Sequence, residues 1–211
     1  MEKKLRVDEV EKALYIIDMN NGFVNEGAMA NPSYNGLVNE QLKTVREMRE
    51  ENGIVNFILE GHSKESVEFL SYPEHCVLGT KEALLIPELL PLQRDVNTYT
   101  YYKNCINGML IRKLQNDIKR LTKLKVAIFE GVCGDLCVMD FARTYARFLD
   151  QINRKVTLFA VKSAIDTFDS PDHNRKEWLD IAYKVMAQAG IIVVENYEEL
   201  REKERTLSLK R

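Results

Sequence analysis

Several apolar runs in this 211-residue chain end on a side chain that could carry chemistry. Residues 13–17 lead into Asp18, in the string Ile-Ile-Asp-Met-Asn-Asn-Gly-Phe. Residues 54–59 lead into Glu60-Gly61-His62, and residues 97–102 into Lys103. A fourth run, 125–129, leads into Gly131-Val-Cys-Gly-Asp-Leu-Cys137-Val, which opens an amphipathic segment. In open α/β sheets, ligands bind outside the carboxyl ends of the strands. A carboxylate, a lysine, a thiol and a Glu-x-His pair would then share one edge.

Cys137 falls at the first turn of a helix, where free N–H groups and the macrodipole favour a thiolate. Lys103 would lower the thiol pKa further, and Asp18 could take the thiol proton when an acyl substrate arrives. The N–H groups of Cys137 and Cys133 could face the oxyanion of a tetrahedral intermediate. The plainer alternatives stay open: an inert buried Cys137, a strand-end cap at Asp18 and a solvated charge at Lys103. Glu60 and His62 alternate onto one face of an extended segment. With His75 and the nearby Glu68 they form a carboxylate–imidazole set that suits zinc, manganese or iron(II), or else they are surface residues of a polar loop. The third histidine, His173, reads as a capping or packing residue at a helix start, and Cys76, Cys105 and the Cys133 side chain as packing.

The elements that must position these groups are legible as alternation. Six short runs, 13–19, 54–59, 97–102, 125–129, 155–161 and 191–194, suit strands buried on both faces. Between them, apolar residues at helical spacing predict helices over 138–149 and 178–189, with Gly190 as a stop, and over 34–52, ended by Gly53. Strands separated by such crossovers imply an α/β fold: a doubly wound, mostly parallel six-stranded sheet with helices on both faces. Residues 1–211 read as a single domain with its core over about 12–196. The charged ends, 1–10 and 200–211, are expected outside that core. The long irregular stretch 61–91 holds two of the three histidines, which favours a functional loop.

Thirty Lys and Arg against 32 Asp and Glu leave a net charge of −2, with no basic footprint for nucleic acid and no membrane patch. No run approaches the ~18 apolar residues of a membrane span, and the first residues lack the pattern of a secretory signal. Four cysteines without a Cys-x-x-Cys argue against a disulfide scaffold or zinc knuckle. A cytoplasmic location is expected.

With these residues in view, the chain resembles the isochorismatase-like cysteine hydrolases and, within them, the nicotinamidases. The resemblance rests on Ile-Ile-Asp18 with a following Phe23, on Tyr72-Pro-Glu-His-Cys-Val-Leu-Gly-Thr80, on Lys103, and on Gly131-Val-Cys-Gly-Asp-Leu-Cys-Val138. It implies a catalytic triad of Asp18, Lys103 and Cys137, and a cis Val132–Cys133 bond that turns the Cys133 N–H toward an oxyanion hole shared with Cys137. It implies a metal held by Glu60, His62 and His75, with Glu68 as an extra ligand, and a substrate ring flanked by Phe23 and Tyr72. The chain departs from the family pattern at five positions. Glu60 replaces the usual Asp, Tyr72 a Trp or Phe, and Gly134 a common Thr, while Ile106 and Met109 stand where aromatic residues are usual. The activity implied is hydrolysis of nicotinamide to nicotinate and ammonia through a thioester, feeding NAD salvage, with a divalent metal as cofactor. The implied partners are a small-molecule amide and further copies of the chain in a homo-oligomer. The alternatives are an amidase of the same family for another small amide or ureide, and a non-catalytic binding protein on the same fold.

Overall fold

The β-branched and aromatic runs do form the strands that their composition predicts. The computed structural model describes residues 7–209. Its strands are β1 (Lys12–Ile17), β2 (Ile54–Glu60), β3 (Thr98–Lys103), β4 (Val126–Gly131), β5 (Thr157–Ile165) and β6 (Ile192–Val194). They build one sheet in the order β3-β2-β1-β4-β5-β6, every pair parallel. The chain winds outward from β1 to β3 and then returns to lay β4 on the other side of β1. The reversal of direction therefore falls between β1 and β4, where an open sheet parts to leave a crevice.

Helices cover both faces because both faces of the inner strands are apolar. The helices are α1 (Asn21–Val24), α2 (Val38–Glu50), α3 (Arg112–Arg120), α4 (Met139–Gln151), α5 (Arg175–Gln188) and α6 (Tyr197–Ser208). Tyr15, Ile17, Ile58 and Phe129 meet Leu114 and Ile118 of α3, Phe141 and Tyr145 of α4, and Met186 of α5 in one core cluster. Leu14, Ile16, Phe57 and Ile128 meet Phe23 of α1, Val45 and Met48 of α2, and Leu200 of α6 in the other. No helix among the described residues is long and apolar enough to cross a membrane.

The expectation that residues 200–211 lie outside the core, as frayed helices, is corrected at Leu200, where the first turns of α6 pack down. Tyr197 and Leu200 are buried in the second cluster, and Asn196 caps the helix by accepting from Glu199 N–H. Lys12 of β1 is paired with both Glu51 and Glu204, so the charges of α6 face partners rather than solvent alone. At the other end Val10 is buried, while residues 1–6 and 210–211 lie outside the described part of the chain. The stretch 61–91 is irregular, as expected, apart from a short 3₁₀ turn at Val67–Leu70 and the start of another at Leu90.

Candidate active site

The ends of β1, β2, β3 and β4 deliver the groups of the site. Asp18 follows β1 with φ +53°, a left-handed conformation that a short polar side chain tolerates better than most. Gly131 closes β4 with φ +119°, and a Cβ there would sit 2.0 Å from the Ile17 carbonyl oxygen. Only glycine lets the ends of β1 and β4 approach this closely. The chain then passes the cis Val132–Cys133 bond into a single π turn, Gly134–Val138, that carries Cys137 and runs on into α4.

Lys103, at the end of β3, is the hub. Its Nζ lies 2.9 Å from Asp18 Oδ2, donates to Glu60 Oε1 at 2.5 Å, and reaches Cys137 Sγ at 3.7 Å. Atoms of Asp18, Glu60 and Cys137 lie within 4.8 Å of one another. All four residues are buried, and Cys137 keeps 6% of its surface.

These charges set one another's protonation. Burial opposes the Lys103 cation, but Asp18, Cys137 and Glu60 outweigh it and push its pKa well above the usual value. Burial would raise Glu60 as well, yet Lys103 and then the two imidazoles hold it well below the carboxylate range. Asp18 is pushed up to about 7, chiefly by burial and further by Glu60, with Lys103 opposing. The sulfur corrects an expectation. Lys103 does pull the Cys137 thiol down, but burial and the nearby carboxylates win, so its pKa stands well above the ordinary one. The resting group is a thiol beside a carboxylate that titrates near neutrality.

On the far side of Glu60 lies the second set. Glu60, His62, Glu68 and His75 each offer an atom within 4.8 Å of the others. Both imidazoles turn Nε2 onto Glu60 Oε2, His62 at 2.9 Å and His75 at 2.6 Å. Their Nδ1 atoms are occupied elsewhere: His75 on the Pro73 carbonyl at 2.7 Å, His62 between Asn104 Oδ1 and Ser66 Oγ, each at 3.2 Å. Holding Nδ1 in this way aims Nε2 and fixes the ring, which is how histidine ligands are presented to a metal. Two nitrogens crowded on one carboxylate oxygen, with a second carboxylate beside them, fit a divalent cation.

Phe23 packs its ring 5.4 Å from His75, and Tyr72 is half-buried at the rim. An open groove of about 710 Å³ reaches the site at Glu68 and Tyr72 and is lined by Ile106 and Leu110 among others. All four cysteines are free; Cys76 and Cys133 are buried, and burial pushes the Cys133 thiol up to about 12. Three supporting residues escaped the sequence reading. Asn20 bridges Glu60 by donating to its carbonyl at 2.9 Å and accepting from its N–H at 3.2 Å. Asn104 orients His62, and Phe69 sets its ring 5.1 Å from that of His62. The two asparagines follow Asp18 and Lys103 by one or two positions, so polar side chains just past a strand end were the available signal.

Residues 12–196 match the Isochorismatase domain model. This chain belongs to the isochorismatase family. It is accordingly a hydrolase. Nicotinamidase 1 of Arabidopsis thaliana is 29% identical over 201 residues, covering 84% of this chain and 82% of that protein. An isochorismatase-like hydrolase from Alkaliphilus metalliredigens superposes with a TM-score of 0.74 at 20% identity, over 92% of this chain and 99% of that one. The pyrazinamidase of Pyrococcus horikoshii, solved in complex with zinc, gives a TM-score of 0.69 at 21% identity, over 88% and 99%. The two structures share the six-stranded doubly wound fold.

Proposed function

We propose that the protein is a cysteine amidohydrolase that converts nicotinamide to nicotinate and ammonia, a step of NAD salvage. The observation that carries this reading is the single buried ammonium of Lys103 touching both Asp18 and Cys137. The curated relative's name supports the substrate.

Asp18 accepts the Cys137 proton as the sulfur attacks the carboxamide carbon. A C–S bond forms and the carbonyl π electrons move to oxygen, which faces the N–H groups of Cys133 and Cys137. Collapse breaks the C–N bond, and Asp18 returns the proton to the departing ammonia. Asp18 then takes a proton from water, whose oxygen attacks the thioester. The C–S bond breaks, Asp18 returns its proton to the departing sulfur to restore the thiol, and the nicotinic acid released gives its proton to solvent as nicotinate. Lys103 stays charged throughout and balances whichever of its neighbours carries the negative charge. The pKa of Asp18 near 7 suits a group that must both take and return a proton. Phe23 and Tyr72 flank the ring. A divalent metal (zinc, manganese or iron) held by Glu60, His62, Glu68 and His75 would supply a Lewis-acid contact that orients the ring nitrogen.

A second reading, the same chemistry on another small amide or ureide, draws support from Ile106 and Met109 standing where the family tends to carry aromatic residues. Ammonia release from nicotinamide beside a panel of small amides and ureides separates the two. Nicotinamide as the substrate with the highest kcat/KM supports the first reading, and a non-aromatic amide in that place replaces it with the second.

A further inference from the structure

The turn that carries Cys137 is braced from behind by the segment that follows β5. Asp135, two positions before Cys137 and buried, accepts a hydrogen bond from Thr167 Oγ1 and another from His173 Nε2 at 2.8 Å. Beside it, Gly134 N–H donates to the Asp166 carbonyl at 2.8 Å. The Asp166 carboxylate in turn accepts from Arg175 Nε at 2.5 Å and Nη2 at 2.8 Å.

His173 is the fixed point of this brace. Its ring is stacked on Phe168 and Trp178, with centroids 3.8 and 5.0 Å away and planes within 14° and 2°. Its Nδ1 meets the Phe168 carbonyl at 3.1 Å. A carbonyl and a carboxylate only accept, so both bonds form together when the ring carries two N–H protons. Asn174, not His173, caps α5, so the ring is left to Asp135.

We propose that His173, acting through Asp135, is a positioning residue that holds the Gly134–Val138 turn so that Cys137 stays within reach of Lys103 and Asp18. A buried carboxylate that loses its donors moves toward water, and Asp135 cannot move without dragging the turn. Displacements near 1 Å cost catalysis about a hundredfold. The inference rests on the reading of Cys137 as nucleophile.

Two substitutions separate packing from hydrogen bonding. His173→Phe keeps a flat ring in the stack but has no donor; His173→Gln keeps an N–H for Asp135 without the stack. Each full-length variant is measured for kcat, KM, melting temperature and the rate of Cys137 alkylation by iodoacetamide, read by peptide mass. His173→Phe is expected to lower kcat roughly 10–100-fold with KM changed by less than about twofold, and to alter the alkylation rate. His173→Gln recovers most of kcat although its melting temperature falls. Wild-type kcat and alkylation in His173→Phe overturn the proposal, as does a kcat loss in His173→Gln equal to that in His173→Phe. Should His173→Phe not fold, Asp135→Asn takes its place with the same expected kcat loss, and wild-type kcat there is equally fatal. Cys137→Ala is assayed in parallel: if it still turns over, the nucleophile reading itself has failed. If it is dead while His173→Phe is fully active, only the positioning role has.

Discussion

Glu60 and Glu130 are two glutamates on strands that both flank β1, both essentially without solvent exposure, and they behave as opposites. Glu60 has Lys103, His62 and His75 around it and is held ionised. Glu130 lies on the other face of the sheet. Burial drives its pKa well above the usual value, the Thr44 hydroxyl offers modest opposition, and Glu40 adds to the rise. Burial is therefore not what makes a carboxylate functional. The supply of donors decides whether a buried acid is a charged hub or a neutral packing group.

The largest break in that contrast should come from Lys103→Met. It removes the cation that serves Asp18 and Glu60 together and leaves two buried carboxylates short of a partner. Urea denaturation should show a loss of about 3–5 kcal/mol, and amidase activity should fall to background. Glu60→Gln should come next. Its activity drops about a hundredfold, and its metal content after purification without chelator, read by elemental analysis, falls with it. If metal content and activity both persist, Glu60 does not link the two sets.

A pH profile sharpens the contrast at its third member. Asp18 must be ionised to accept the thiol proton, so kcat/KM should fall as pH drops below about 7, tenfold per pH unit at the limit. A profile flat from pH 5 to pH 8 would remove Asp18 from that role. The smallest effect belongs to Glu130→Gln. The folded protein holds the Glu130 proton to higher pH than the unfolded chain does. Its contribution is full below the unfolded value of about 4.3 and is lost as pH rises toward the folded one. Glu130→Gln should remove that slope, stabilise the protein at neutral pH by ~1 kcal/mol or more in denaturation experiments, and leave amidase activity within about twofold.

The inner strands β1, β2 and β4 were legible because residues buried on both faces are mostly apolar, whereas the edge strands β3 and β6, expected to be buried on both faces, are partly exposed. β5 runs to Ile165 rather than ending at Val161, since Lys162 and exposed Ser163 interrupt its run. α3 escaped notice because only Leu114 and Ile118, one turn apart, face the core. α6 looked like a charged tail because its partners, Lys12 and Glu51, are distant in sequence. At the site, the rule that strand ends face the ligand was enough to single out Asp18, Glu60, Lys103 and the turn bearing Cys137. The thiol's protonation was not legible, because it is the difference between a burial cost and a lysine's pull, both set by distances. The pairing of Asp135 with His173 stayed hidden for the same reason, since two residues 38 apart leave no local pattern.

Whether Cys137 is the nucleophile is read from ammonia release by Cys137→Ala, with nicotinamide binding followed by calorimetry on the same sample. The account predicts background turnover with binding retained, because the ring is held by other residues while the attacking sulfur is gone. Ammonia production at more than a few per cent of the wild-type rate (roughly a residual well above the loss expected for a missing nucleophile) would contradict it.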